Sequence, residues 1–216
     1  MFSLPTLSLK GKVSEQEWNT RVDLAACYRL VADMRWGDLI YTHISAKVPG
    51  TDHYLVNAFG LGFDEVTASN LVKVDLEGNI LDDTPYGINP AGFTIHSAIH
   101  EVRHDAQCVI HLHTLATISV ASVKGGLKPW SQYSMFSLPS LSYHSYEGLA
   151  VDESEKKRLQ DDLGDTNHML LPNHGGLTLG PTVGDAFMRF YDLQRACEIQ
   201  LALMQSNEEI IEIPQT

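Results

Sequence analysis

Cys108-Val109-Ile110-His111-Leu112-His113-Thr114 is an apolar, β-branched run that ends in two histidines one residue apart. It reads as a buried strand. Strand side chains alternate faces, so His111 and His113 project the same way, about 6–7 Å apart at their Cα atoms. Imidazoles so placed can chelate one divalent ion, and histidine-rich sites suit zinc, iron, copper or nickel. Two histidines near a strand end can equally be hydrogen-bonded core residues. Pro172-Asn173-His174-Gly175-Gly176 adds a third histidine at a strand-to-turn junction. Three histidines leave a fourth position open for water or substrate, the arrangement of catalytic rather than structural zinc.

Composition narrows the setting. The 216 residues are 44% hydrophobic and 19% charged, an ordinary globular balance with enough chain for a sizeable core. Fifteen basic against 27 acidic residues give a net charge of −12, which argues against nucleic acid or an anionic membrane as partner. No apolar run approaches the roughly 20 residues that span a bilayer. Met1-Phe2-Ser3-Leu4-Pro5 lacks the features of a secretory signal. Cys27, Cys108 and Cys197 are odd in number and form no Cys-x-x-Cys, so reduced thiols in a cytoplasmic protein are expected.

Residues 1–12 read as an irregular arm and 13–216 as one domain. Ser14-Glu15-Gln16-Glu17 predicts a capping box that opens a helix running to about Met34 and ended by Gly37. Strands are predicted at Leu39–Ser45, Tyr54–Asn57 and Leu71–Val74, with a Glu77-Gly78-Asn79 turn before Ile80-Leu81. A loop over 84–91 precedes a helix from about Gly92 to Arg103. His96, His100 and His104 follow at i, i+4, i+8, one helical face and a rival metal site. Further helices are predicted over Thr114–Val123, 152–162 and Thr182 to about Gln205, with a strand at His168–Leu171. The aromatic segment 128–150 reads as a buried connection or a pocket wall. Strands grouped between helices suggest an α/β layered domain with a mostly antiparallel sheet.

On these residues the chain resembles the class II aldolase/adducin family over about 15–205. The matching pieces are His111-Leu112-His113-Thr114, Asn173-His174-Gly175 sixty-one residues after His113, and the helix leading into the first pair. Thr42-His43-Ile44-Ser45, Phe59-Gly60-Leu61, Glu65-Val66-Thr67-Ala68-Ser69, Leu71-Val72-Lys73 and Asn89–Ile99 resemble the adducin head-domain branch most. The resemblance implies a three-layer α/β/α sandwich around a mostly antiparallel sheet, with His111, His113 and His174 as metal ligands. It also implies a homotetramer with metal sites near subunit interfaces. Sugar-phosphate aldolases of the family carry an acid nineteen positions before the first metal histidine, where this chain has Gly92. Their phosphate-binding turns correspond to Thr42-His43, Phe59-Gly60 and Pro90-Ala91. Phe59, Pro90 and Ala91 offer no side-chain donors, and Pro90 lacks even the backbone N–H.

The expectation is therefore a metal-dependent aldolase or lyase acting on a small non-phosphorylated carbonyl or hydroxy substrate. Its cofactor would be a divalent transition metal, zinc first, with Fe2+, Mn2+ or Co2+ as alternatives. His43, Tyr133 and Tyr143 are the candidates for proton transfer, and Asn57, Gly60 and Gly92 for substrate binding. Two other readings compete: a non-catalytic adducin-like binding or assembly protein, which loss of the acid would fit, and a three-histidine Fe(II) oxygenase.

Overall fold

The computed structural model describes residues 8–148 and 153–214; most of the expected N-terminal arm lies outside them. Helix α1 (Glu15–Asp33) opens at Ser14, whose Oγ accepts the Glu17 N–H at 3.1 Å. Only this half of the expected capping box forms. The Glu17 carboxylate turns instead to Arg21 Nε at 2.9 Å and Lys73 Nζ at 3.1 Å, because two cations outbid one backbone N–H. The helix also stops short of Gly37. Met34 is its C-cap, and Arg35 takes the left-handed turn with φ 57°.

Strand β1 (His43–Lys47) starts four residues later than expected, because 39–41 form a turn in which Leu39 has φ 50°. It pairs antiparallel with β2 (Tyr54–Val56), and β2 with β3 (Val72–Val74). Val74 bridges Ile80 across the expected Glu77-Gly78-Asn79 turn, where Gly78 has φ 86°. Helix α2 (Pro90–Val102) takes in the end of the expected loop. Asn89 Oδ1 caps it by accepting the Ala91 N–H at 3.0 Å, and Pro90 occupies the first position, where a missing N–H costs nothing. Because α2 ends at Val102, His104 falls in an exposed turn and does not share the face of His96 and His100.

The rest follows as β4 (Cys108–Leu112), α3 (Leu115–Ala121), α4 (Gln132–Ser137), β5 (Leu141–Tyr143), α5 (Glu153–Leu163), β6 (His168–Leu171), β7 (Gly175–Gly180) and α6 (Val183–Met204). Among the described residues the sheet has the order β3-β2-β1-β4-β7-β6-β5, antiparallel except for the β5–β6 pair. Alternation divides its side chains between two helical layers. Ile44 and Ala46 of β1 and Cys108, Ile110 and Leu112 of β4 pack against Leu24, Tyr28 and Val31 of α1 and Phe190 of α6. Val109 of β4, with Leu177 and Leu179 of β7, packs against Ile95 and Ile99 of α2 and Leu159 and Leu163 of α5. This is the expected three-layer α/β/α arrangement around a mostly antiparallel sheet. It puts His43, Ser45 and His111 on the α2 side. Among the described residues no helix is long and apolar enough to cross a membrane.

A buried ion network fastens α1 to the β3 edge. Arg21, with no exposed surface, donates to Leu71 O at 2.8 Å and to Asp82 Oδ2 at 2.7 Å, besides Glu17. Removing one member of such a network leaves the others buried and under-partnered. Arg21→Ala is expected to lower stability to urea by about 3 kcal/mol. A loss below about 0.5 kcal/mol would show that the network does not fasten the helix.

Candidate metal centre

His111 lies near the end of β4, and His113 follows just beyond its last residue, so strand alternation keeps both on the α2 face. His174 comes from the turn between β6 and β7. There Asn173 takes φ 61°, a conformation that asparagine tolerates. Gly175 must be glycine for a different reason. A Cβ at that position would stand 2.5 Å from the Leu112 carbonyl oxygen, so only a bare backbone lets β7 close on β4 beside the histidines.

The three rings converge. His113 Nε2 is 3.0 Å from His111 Nε2, which is 3.2 Å from His174 Nε2. Hydrogen bonds among them do not explain the approach, because the outer partners set the protons. His111 Nδ1 donates to the Gly176 carbonyl at 3.2 Å, and His113 Nδ1 faces Asp38 Oδ2 at 3.3 Å. A neutral imidazole with its proton on Nδ1 presents a bare lone pair on Nε2. Two lone pairs 3.0 Å apart need a cation between them. A tetrahedral zinc with Zn–N of about 2.0–2.1 Å sets its ligand nitrogens about 3.3 Å apart, close to these spacings. The donor set therefore fits a divalent ion, with Gly176 and Asp38 as the outer partners that orient such ligands.

Electrostatics keep the donors neutral. Burial, then the His174 and His113 rings, hold His111 well below the usual histidine range. Burial, His113 and His144 bring His174 down to about 4. Burial also lowers His113, opposed by the Asp38 carboxylate. Near pH 7 all three are neutral, as metal binding requires.

Beside this centre opens a cavity of about 480 Å³. His43, His113 and His174 line one part of it, and Ile40, Tyr41, Phe59, Ile95, Ile118 and Tyr146 supply apolar wall. Asp38, Asn89 and Asn173 add polar groups, and no Lys or Arg stands among the described lining residues.

The other sequence candidates are distributed unevenly. His43 pairs with His111 across β1 and β4, their ring centroids 5.2 Å apart. Gly92, on the first turn of α2, lies against it. A Cβ there would stand 2.5 Å from His43 Cδ2, so the imidazole fills the space that any side chain at 92 would need. Asn57 is buried behind the sheet, its Oδ1 accepting the Tyr28 hydroxyl at 2.9 Å. Gly60 makes a left-handed turn, and it is Phe59 beside it that lines the cavity. Tyr133 packs on Tyr191 of α6, with ring centroids 6.4 Å apart. The Tyr143 hydroxyl accepts the Leu127 N–H at 2.9 Å. Neither tyrosine is brought to the cavity. His96 and His100 form no cluster of metal-ligand geometry among the described residues; they are buried in a hydrogen-bond chain that ends at His43. Nothing local in the sequence marks Asp38, because the fold of the loop after α1 brings it to His113.

The profile of the class II aldolase and adducin N-terminal domain matches residues 22–201. A Pseudomonas aeruginosa protein that bears the name aldolase class 2 only provisionally is 59% identical over 212 residues, 98% of this chain and 82% of that one. Rat alpha-adducin is 46% identical over 190 residues, which cover 86% of this chain but 26% of adducin. The structure of L-fuculose 1-phosphate aldolase from Glaciozyma antarctica superposes with a TM-score of 0.83 at 27% identity, over 98% of this chain and 82% of that one. The chain belongs to the class II aldolase and adducin N-terminal domain family.

The contact between His43 and Gly92 yields a direct test. Gly92→Ala is expected to cost about 1–3 kcal/mol, because the His43 ring must leave its hydrogen bond to His96 to make room. In a His43→Ala background that cost should fall by more than half, a coupling read by a double-mutant cycle in urea. Equal costs in the two backgrounds would show that His43 does not fill the space.

Proposed function

We propose that this chain is a metal-dependent enzyme of the aldolase or lyase type that acts on a small non-phosphorylated carbonyl or hydroxy compound. The observation that carries the reading is the convergence of His111, His113 and His174 on one point, with outer partners that leave bare nitrogens on His111 and His113. Those three residues would hold a divalent ion, zinc first and Fe2+, Mn2+ or Co2+ as alternatives. When bound, such an ion supplies Lewis-acid polarisation of a carbonyl or hydroxyl oxygen.

The chain's own residues supply the rest. His43 borders the cavity beside His111, which supports a role for it in taking or giving a proton on the substrate carbon or oxygen. The apolar wall of Ile40, Phe59 and Ile95 excludes water and favours a substrate with an apolar portion. The phosphate reading is weakened twice. The described lining residues include no cation, and Pro90, at the mouth of α2, has no N–H to donate. Leu39, between the lining residues Asp38 and Ile40, and Leu115, two residues after His113, are each 77% exposed, and such apolar side chains suit burial against a second copy in a homo-oligomer. Three free buried cysteines agree with a reducing, cytoplasmic location.

A non-catalytic, adducin-like role is the second reading, favoured by the absence of a carboxylate at Gly92. Turnover separates the two. Purified zinc-loaded protein, offered simple aldehydes and hydroxy acids, is expected to convert at least one of them and to lose that activity on chelation. His43→Ala should lower kcat by about 10²–10⁴-fold while metal content stays unchanged. Absence of turnover across the panel, or activity indifferent to chelation, would favour the binding role.

A further inference from the structure

Past β5 the chain leaves the sheet, and α5 grips it at two points three residues apart. At the first, the His144 N–H still donates to Leu170 O at 3.2 Å, extending the β5–β6 pairing by one residue. The His144 ring is buried, with Nδ1 2.7 Å from Asp162 Oδ2 and Nε2 3.7 Å from Glu155 Oε1. At the second, the Glu147 carboxylate accepts from Arg158 twice, from Nε at 2.8 Å and from Nη2. Glu155, Arg158 and Asp162 stand at i, i+3 and i+7 of α5, so one side of that helix supplies both grips.

Between the grips, Tyr146 reaches the cavity. Its ring lies edge to face on His174, the centroids 6.5 Å apart and the planes at 79°, a geometry in which aromatic rings attract. Because it contacts one of the three clustered histidines, this ring borders the part of the cavity next to the candidate metal centre. The side chain is 56% exposed, so packing in the core does not account for its placement.

The anchors account for it instead. A lone ion pair at the surface holds little, because ordering two long side chains offsets the attraction. A bidentate guanidinium–carboxylate pair adds a fixed orientation, and a buried imidazole bonded to a carboxylate adds another. An aromatic ring ordered in advance loses little freedom when a ligand lies against it. Together with Ile40, Phe59 and Ile95 it offers an apolar surface suited to a flat hydrocarbon group.

We propose that Tyr146 is the specificity-determining residue that meets the apolar portion of the substrate, which it selects to be aromatic, and that Arg158 and Asp162 are positioning residues that hold Tyr146 against His174. The inference rests on the reading of the cavity as the substrate site beside a metal ion, and it adds the substrate class and the residue that selects it.

Two measurements test it. The first needs no metal. In metal-free protein, NMR should show a nuclear Overhauser cross-peak between the ring protons of Tyr146 and His174. An Arg158→Ala/Asp162→Asn variant, altered at two half-exposed side chains and checked for folding by circular dichroism, should lose it. No cross-peak in the wild type, or one indifferent to this variant, overturns the positioning role.

The second measurement is calorimetric titration of zinc-loaded protein with acetohydroxamate and benzohydroxamate, which share a chelating head and differ as methyl and phenyl. Tyr146→Ala should weaken benzohydroxamate about tenfold and leave acetohydroxamate within about twofold, while Tyr146→Phe keeps the wild-type ratio. The Arg158→Ala/Asp162→Asn variant should lower that ratio in the same direction. A ratio unchanged in Tyr146→Ala, with acetohydroxamate still bound, overturns this inference alone. A wild type that binds neither compound removes the metal-site reading and this inference with it.

Discussion

Two neutral imidazoles cannot lie with bare nitrogens 3.0 Å apart unless something positive belongs between them, and the fold holds His111 and His113 in that way with His174 beside them. The outer hydrogen bonds are part of the constraint. Gly176 O takes the Nδ1 proton of His111 and Asp38 that of His113, so the nitrogens that face inward are the ones without protons. Each partner depends on a distant piece of structure. Gly176 is placed by the pairing of β7 with β4, which glycine at 175 alone permits, and Asp38 by the turn after α1. The buried Arg21 network and the packing of α1 on β1 and β4 hold that turn against the sheet.

The site's chemistry follows from one exchange of groups. Where aldolases acting on sugar phosphates are expected to carry a carboxylate, this chain has Gly92, and the space is taken by the imidazole of His43 from the neighbouring strand. An imidazole held neutral by burial differs from a carboxylate in carrying no charge and in having two distinguishable nitrogens. One nitrogen is engaged by His96, so the other is what the cavity meets. The described lining residues of the cavity are largely apolar and include no Lys or Arg, which supports the proposed non-phosphorylated substrate.

Those parts of the fold governed by local rules were legible in the sequence. The His111–His113 spacing follows from strand alternation, and His174 from the asparagine–glycine turn that frames it; both give a geometry independent of the rest of the chain. The β6 strand and the cap at Ser14 were legible for the same reason. Elsewhere tertiary contacts override local signals. Gly37 looked like the end of α1, but Arg35 makes the turn; Glu17 looked like a cap residue, but Arg21 and Lys73 claim it. His96, His100 and His104 looked like one row, yet α2 ends before the third, and the first two turn inward to Ser45. Asp38 is tied to His113 across 75 positions of sequence, and no periodicity carries such information.

The central claim is that the three histidines hold a metal ion, and metal content tests it most directly. Protein purified without added metal or chelator is analysed by elemental mass spectrometry, wild type beside His113→Ala, each with its folding checked by circular dichroism. The account predicts about one transition-metal ion per chain in the wild type, and its loss in a variant that remains folded. A folded wild type that holds no metal and takes up none from added zinc would contradict it.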